Sequence, residues 1–187
     1  AAALALVAYD TNALENQFVQ CWLIHDRFLM RGTFGIVYDF LWANSYQPGL
    51  SYYHVPMHYH DPAAGLLFLR SSWEEDAMWF AVMNGKVQVF QEGVRSDITP
   101  AKRSKPLLIG RTTVQFGTDP MRFAVNNPEP ALTYVVGLKP SQPYEIEIDD
   151  EEMMEVTTDR AGLLPLPFPP SVNVGVRLRS VKTATAK

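Results

Sequence analysis

A mainly β chain is predicted: an antiparallel β-sandwich of about ten short strands, preceded by one long and one short α-helix. Three observations predict it. After Gly65 the apolar period changes from that of a helix to that of a strand. Short apolar runs then recur at roughly ten-residue spacing, punctuated by Pro, Gly and Asn. No strand-like run alternates with a helical one, which argues against a doubly wound parallel sheet.

The long helix comes first. Asn12 is placed to cap it, with Glu15 at the reciprocal position three residues on. Leu14, Phe18, Cys21, Trp22, His25, Phe28 and Leu29 repeat with the spacing of one buried face, and Gly32 stops the run after Arg27 and Arg31. A shorter helix is expected over Ile36–Ala43. Residues 1–43 thus read as a helical segment, and the apolar start Ala1–Ala8 suggests the end of a helix from a longer protein. Pro48, Pro56 and Pro62 make 44–64 an extended connector, since proline restricts itself and the residue before it.

Residues 65–179 are expected to form the sandwich, and 180–187 a loose tail. The strands are placed at Leu66–Arg70, Ala77–Met83, Lys86–Gln91, Leu107–Ile109, Thr112–Phe116, Met121–Val125, Leu132–Gly137, Tyr144–Ile148, Met153–Thr157 and Val172–Arg179. Asn84-Gly85 is the strongest hairpin signal, because both turn positions require positive φ. The acidic run Asp149–Glu152 reads as a solvated hairpin turn; it lacks the spaced oxygens and turn glycine of a calcium loop. Pro165, Pro167, Pro169 and Pro170 allow only an edge strand.

Composition narrows the function classes. At 187 residues the chain is one domain with a helical appendage, long enough to hold a core without disulfides. Sixteen basic against twenty acidic residues give a net charge of −4, which argues against a nucleic-acid partner. One cysteine, Cys21, rules out an internal disulfide and reads as a buried small hydrophobe. The longest apolar run is far shorter than the roughly 20 residues of a membrane span. Phosphate-loop, GxGxxG, HExxH, GxSxG and CxxC motifs are all missing.

Two clusters carry the candidate chemistry. His54, His58 and His60 fall within seven residues and lead into Asp61. Neutral imidazoles with a carboxylate suit a divalent metal (Zn, Mn or Fe), and His58, His60 and Asp61 are the candidate ligands. The competing reading has them bonded to loop backbone in a patch with Tyr52, Tyr53 and Tyr59. A His and a Tyr together can also abstract and return a proton, which makes Tyr53, His54 and His58 candidate catalytic residues for β-elimination. The second cluster is Arg70–Asp76. There Arg70 offers a fork for a carboxylate, while Trp73 and Trp79 offer flat faces for a sugar ring. The competing reading is an Arg–acid pair pinning a strand corner.

The order helix, then Asn44–His54, then Gly65–Trp73, then Tyr144–Asp149, Thr158-Asp159 and the closing strand at Val172 resembles the C-terminal region of heparinase II/III-like polysaccharide lyases and related uncharacterised bacterial proteins. Those chains finish a helical toroid and enter a large β-sandwich. The lyases carry His-x-His-x-Asp after the opening sandwich strand; here His58-Tyr59-His60-Asp61 precedes it and lacks one spacer. The resemblance implies a divergent or partial lyase-like module binding acidic polysaccharide, in a secreted or periplasmic bacterial setting, with a missing N-terminal domain. His58 and His60 followed by Met83–Val89 also resemble the first motif and mid-barrel hairpin of cupins, which implies a small metalloprotein. A third reading is a structural subunit of a larger assembly.

Overall fold

The computed structural model describes residues 13–25, 49–117, 119–127, 131–168 and 171–181. The expected helix cap at Asn12, the helix beyond His25, the short helix over 36–43, the stretch 1–8, Pro169, Pro170 and the tail after Val181 lie outside the described residues. The chain divides into two compact units, Ala1–Pro56 and Met57–Lys187.

In the first unit, α1 (Leu14–His25) carries Glu15 in its first turn, where an acid favours the positive end of the helix dipole. Cys21 is buried, as expected, and Gly49 lies against its Cα and Cβ. The Leu50 N–H donates to the Gln17 carbonyl, which holds Leu50 beside the helix. A 3-10 turn follows at Tyr52–His54. No described helix is long and apolar enough to cross a membrane.

The second unit is built of thirteen described strands in three sheets. β1 (His58–Asp61), β2 (Leu66–Arg70), β3 (Trp79–Met83), β4 (Lys86–Gln91) and β5 (Val94–Ile98) form an antiparallel meander. β6 (Leu107–Ile109), β7 (Thr112–Phe116), β9 (Ala131–Val136) and β12 (Leu163–Phe168) make a sheet of order β12-β9-β7-β6. β8 (Met121–Asn127), β10 (Pro143–Ile148), β11 (Glu152–Thr157) and β13 (Ser171–Ser180) make the third, of order β11-β10-β13-β8. Pairing is antiparallel except between β7 and β9, which run parallel because the chain visits the third sheet as β8 between them. None of the sheets closes on itself.

The ten expected strands are all present, and three more join them. β1 falls in the segment read as a connector. β5 is apolar only at its ends, Val94 and Ile98, and is exposed for most of its length. It forms because Glu92 (φ 51) and Gly93 (φ 77) repeat the positive-φ pair at Asn84 (φ 51) and Gly85 (φ 72), giving a second two-residue hairpin. β12 is the Pro-bearing segment, and it lies at a sheet edge as its prolines demand. Asp149 and Asp150 do sit in the β10–β11 turn, at φ 52 and 59.

Two cores flank the β12-β9-β7-β6 sheet. Leu67, Leu69, Phe80 and Val82 of the meander meet Val114, Phe116, Tyr134 and Val136 in one. Tyr144, Ile146, Val176 and Leu178 of the third sheet meet Val135, Leu164 and Leu166 in the other. Along β9 the side chains of Tyr134 and Val136 enter the first core while Val135, between them, enters the second; alternation in a strand puts these on opposite faces. This middle sheet is therefore covered on both sides, which explains the unbroken apolar run Tyr134-Val135-Val136.

Candidate functional site

The first functional cluster assembles at the end of the β2–β3 hairpin. Strand register places Arg70 directly opposite Trp79. The eight-residue loop between them is tied by Ser71: its N–H donates to the Met78 carbonyl (3.0 Å), and its Oγ accepts the Met78 N–H (2.8 Å). The Ser72 Oγ accepts the Glu74 N–H (3.2 Å), which turns Trp73 back over the strand end. The Arg70 guanidinium then sits 4.8 Å from the Trp73 ring centroid and 4.4 Å from that of Trp79, and its Nη2 donates to the Glu74 carbonyl at 3.0 Å. Each cation–π contact is worth about 0.5–2 kcal/mol. The three residues singled out for ligand contact, Arg70, Trp73 and Trp79, are thus brought together.

Register extends this cluster across the sheet. Arg70, Trp79, Phe90 and Arg95 lie side by side on β2 to β5, and Tyr59, Phe68, Ala81, Gln88 and Asp97 form the adjoining row. Alternation puts both rows on the face turned away from the core residues Leu67, Leu69, Phe80 and Val82. Trp79 is 42% exposed, Phe90 44%, Tyr59 57% and Phe68 36%. Four large rings on one sheet face make a flat aromatic surface with a fixed cation at its corner. Phe90, Phe68 and Arg95 escaped the sequence reading, although the two-residue turn at Asn84-Gly85 carries the signal. It fixes Trp79 opposite Phe90.

The histidine cluster is arranged differently. Tyr53 and His54 belong to the first unit, where Tyr53 stacks on Tyr52 with ring centroids 4.9 Å apart; His58 belongs to the second, exposed on β1. Asp61 Oδ1 accepts the N–H groups of Ala63 and Ala64, both at 3.0 Å, and so shapes the β1–β2 turn. The His60 Nε2 lies 3.0 Å from Asp159 Oδ2, with the two side chains 13% and 3% exposed. The His60 ring also meets Tyr134 edge-on, at 5.4 Å and 83°. Burial pushes the Tyr134 hydroxyl from 10.0 up to about 12, so it stays protonated at ordinary pH. Among the described residues no group of three or more His, Cys, Asp or Glu side chains comes together as metal ligands.

Asp159 is the residue that sequence reasoning could not connect to His60, because 99 positions separate them. Its Oδ1 accepts the N–H groups of Ala161 and Leu163, both at 2.8 Å, and its backbone carbonyl accepts from Ser141 and Gly162. The pair therefore clasps β1, at the edge of the meander, to the turn that leads into β12. No protein-family model matches this chain, and no curated protein or solved structure proves similar to it.

Proposed function

We propose that this chain is a carbohydrate-associated β-sandwich module that binds acidic polysaccharide, as a divergent or partial relative of the polysaccharide lyases, on the outer face of the meander sheet. The observation that supports it is the Arg70 guanidinium held between the Trp73 and Trp79 rings, next to the exposed Phe90. Sugar rings stack their C–H faces on exposed indoles, and a guanidinium fixed at the same place adds attraction for a carboxylate. The reading is of binding; Tyr53, His54 and His58 are the residues that would serve as acid and base if β-elimination accompanies it.

Titration of the full chain with sodium polygalacturonate in a calorimeter tests the reading. Binding is expected to weaken with added salt, and Trp79→Ala is expected to raise Kd at least about tenfold, the loss of one stacking contact of roughly 1.4 kcal/mol. Because Trp79 is 42% exposed, its removal should leave the fold intact by circular dichroism. Wild-type protein that takes up no uronate polymer sinks the proposal. The same samples, watched for the ultraviolet absorbance of unsaturated ends, report whether elimination occurs.

A second reading, a structural subunit of a larger assembly, is favoured by the same exposed side chains. Phe68, Met83 and Phe90 on one sheet face are what a protein contact would cover. Light scattering behind size exclusion separates the two, since a monomer that binds the polymer excludes the need for an assembly partner.

A further inference from the structure

The third sheet presents a different surface. On its outer face the strands are zipped by charge: Arg179 Nε donates to Glu145 at 2.7 Å, and Arg177 Nη1 lies 3.3 Å from Glu147 and 3.1 Å from Asp150. One strand further out, at the sheet edge, β8 places Arg122 directly opposite Arg177. Residues directly opposite in an antiparallel pair hold their side chains on the same face with Cβ atoms about 5 Å apart, where like charges repel. Arg177 has its charge balanced by two carboxylates. Arg122 is exposed and, among the described residues, forms no ion pair or hydrogen bond.

Two shallow grooves, of about 340 Å³ and about 400 Å³, adjoin this pair, and Arg122, Glu147 and Arg177 line both. The first adds Arg179 and Glu145, so three cations face two anions there; the second adds Asp149 and Asp150, so it is on the side of the first groove that the Arg122–Arg177 pair is open to an anion. From this we infer that the Arg122–Arg177 pair binds one anionic group with several oxygens on a single centre, a carboxylate, sulfate or phosphate. Such a group accepts from both guanidinium forks at once, which a chloride ion cannot do. It also screens the like-charge contact between Arg122 and Arg177. The site is separate from the aromatic face of the meander and does not depend on the carbohydrate reading.

Arginine side-chain NMR of the full chain is the test, with sodium sulfate replacing sodium chloride at constant ionic strength. The Nε signals of Arg122 and Arg177 should move together and saturate at millimolar sulfate, while that of Arg95, exposed on another sheet, stays put. Arg122→Gln should abolish the movement at Arg177, and Arg122→Lys should keep part of it. In chloride alone, Arg122→Gln should raise the melting midpoint by about 1–3 °C as the repulsion is relieved. Repeating the titration with polygalacturonate distinguishes the source of the group. Polymer affinity reduced by Arg122→Gln assigns a polymer-borne carboxylate; unchanged affinity alongside a sulfate response assigns a free anion. Movement at Arg177 that persists in Arg122→Gln, or that is no larger than at Arg95, overturns the inference.

Discussion

Asp159→Ala should cost the protein a large part of its stability, by an amount that can be worked from the contacts. The carboxylate is 3% exposed and accepts from three donors, His60 Nε2 at 3.0 Å and the N–H groups of Ala161 and Leu163 at 2.8 Å. Each buried donor left without its partner costs about 1–3 kcal/mol, so the expected loss is about 3–9 kcal/mol, against total stabilities of roughly 5–15 kcal/mol. His60→Ala removes only one of the three bonds and the edge contact with Tyr134, and should cost about 1–3 kcal/mol. Asp159→Asn keeps an oxygen for the two backbone N–H groups and offers its amide to His60, so it should cost the least. Urea unfolding of the two alanine variants and their double mutant, followed by circular dichroism, gives the coupling between positions 60 and 159. About 1–2 kcal/mol is expected. A coupling below roughly 0.3 kcal/mol would mean that the pair behaves like a solvated surface contact, and the clasp between β1 and β12 would have to be abandoned.

Two further predictions follow from the same region. Burial holds the Tyr134 hydroxyl at about 12 against 10.0 when unfolded, so the unfolded chain loses this proton first as the solution becomes alkaline. The stabilisation is complete below pH 10 and falls by up to about 1.4 kcal/mol per unit between pH 10 and about 12. Tyr134→Phe should flatten that alkaline arm of the stability curve relative to wild type; identical slopes would remove Tyr134 as its source. Gly162 and Gly85 have nearly the same backbone angle, φ +75 and +72, but a Cβ at Gly162 would run into the Leu138 carbonyl whereas nothing lies within 4 Å at Gly85. Gly85→Ala should therefore cost about 1–2 kcal/mol for its left-handed backbone alone, and Gly162→Ala several kcal/mol more. Equal losses in thermal melts would contradict the close approach.

What the sequence made legible was local. The period change after Gly65 marks the strands because one face of each is buried, and Asn84-Gly85 marks its hairpin because few other residue pairs tolerate two positive φ values. Arg70, Trp73 and Trp79 were recognisable as a cluster for the same reason: a short loop joins them, so the hairpin alone brings them together. β5 was hidden because Glu92-Gly93 is a less usual turn pair and the strand is apolar only at its ends, Val94 and Ile98. The covering of the middle sheet on both sides was also out of reach. It depends on which of the apolar runs pair with one another, and periodicity says nothing about partners. The long-range partner of the histidines was not legible. Their spacing suggests a ligand set, but His60 is engaged by a carboxylate 99 residues away and Asp61 by the turn beside it.

The arrangement of sheets confines where any binding surface of the second unit can be. In the β12-β9-β7-β6 sheet β9 spends both faces on cores, as Tyr134, Val135 and Val136 show in succession, while Leu108 is exposed at the β6 edge. Each flanking sheet gives one face to a core and keeps one outward, and the two outward faces differ in chemistry. The meander displays Trp79, Phe90, Phe68 and Tyr59; the third sheet displays interleaved Arg and Glu with little apolar area beyond Met153. Cross-strand ion pairs such as Glu145–Arg179 account for much of the charged face, while Arg122 opposes Arg177 and Glu155 opposes Glu145. On the aromatic face the internal contact is that of Arg70 with Trp73 and Trp79, which leaves Phe90, Phe68 and Tyr59 partly exposed. Four exposed rings in register lose more by contact with water than isolated polar residues would, and hydrogen bonds within the sheet do not require them. Under the proposed function a ligand would cover Trp79 and Phe90, and for that reason the binding experiments begin with Trp79.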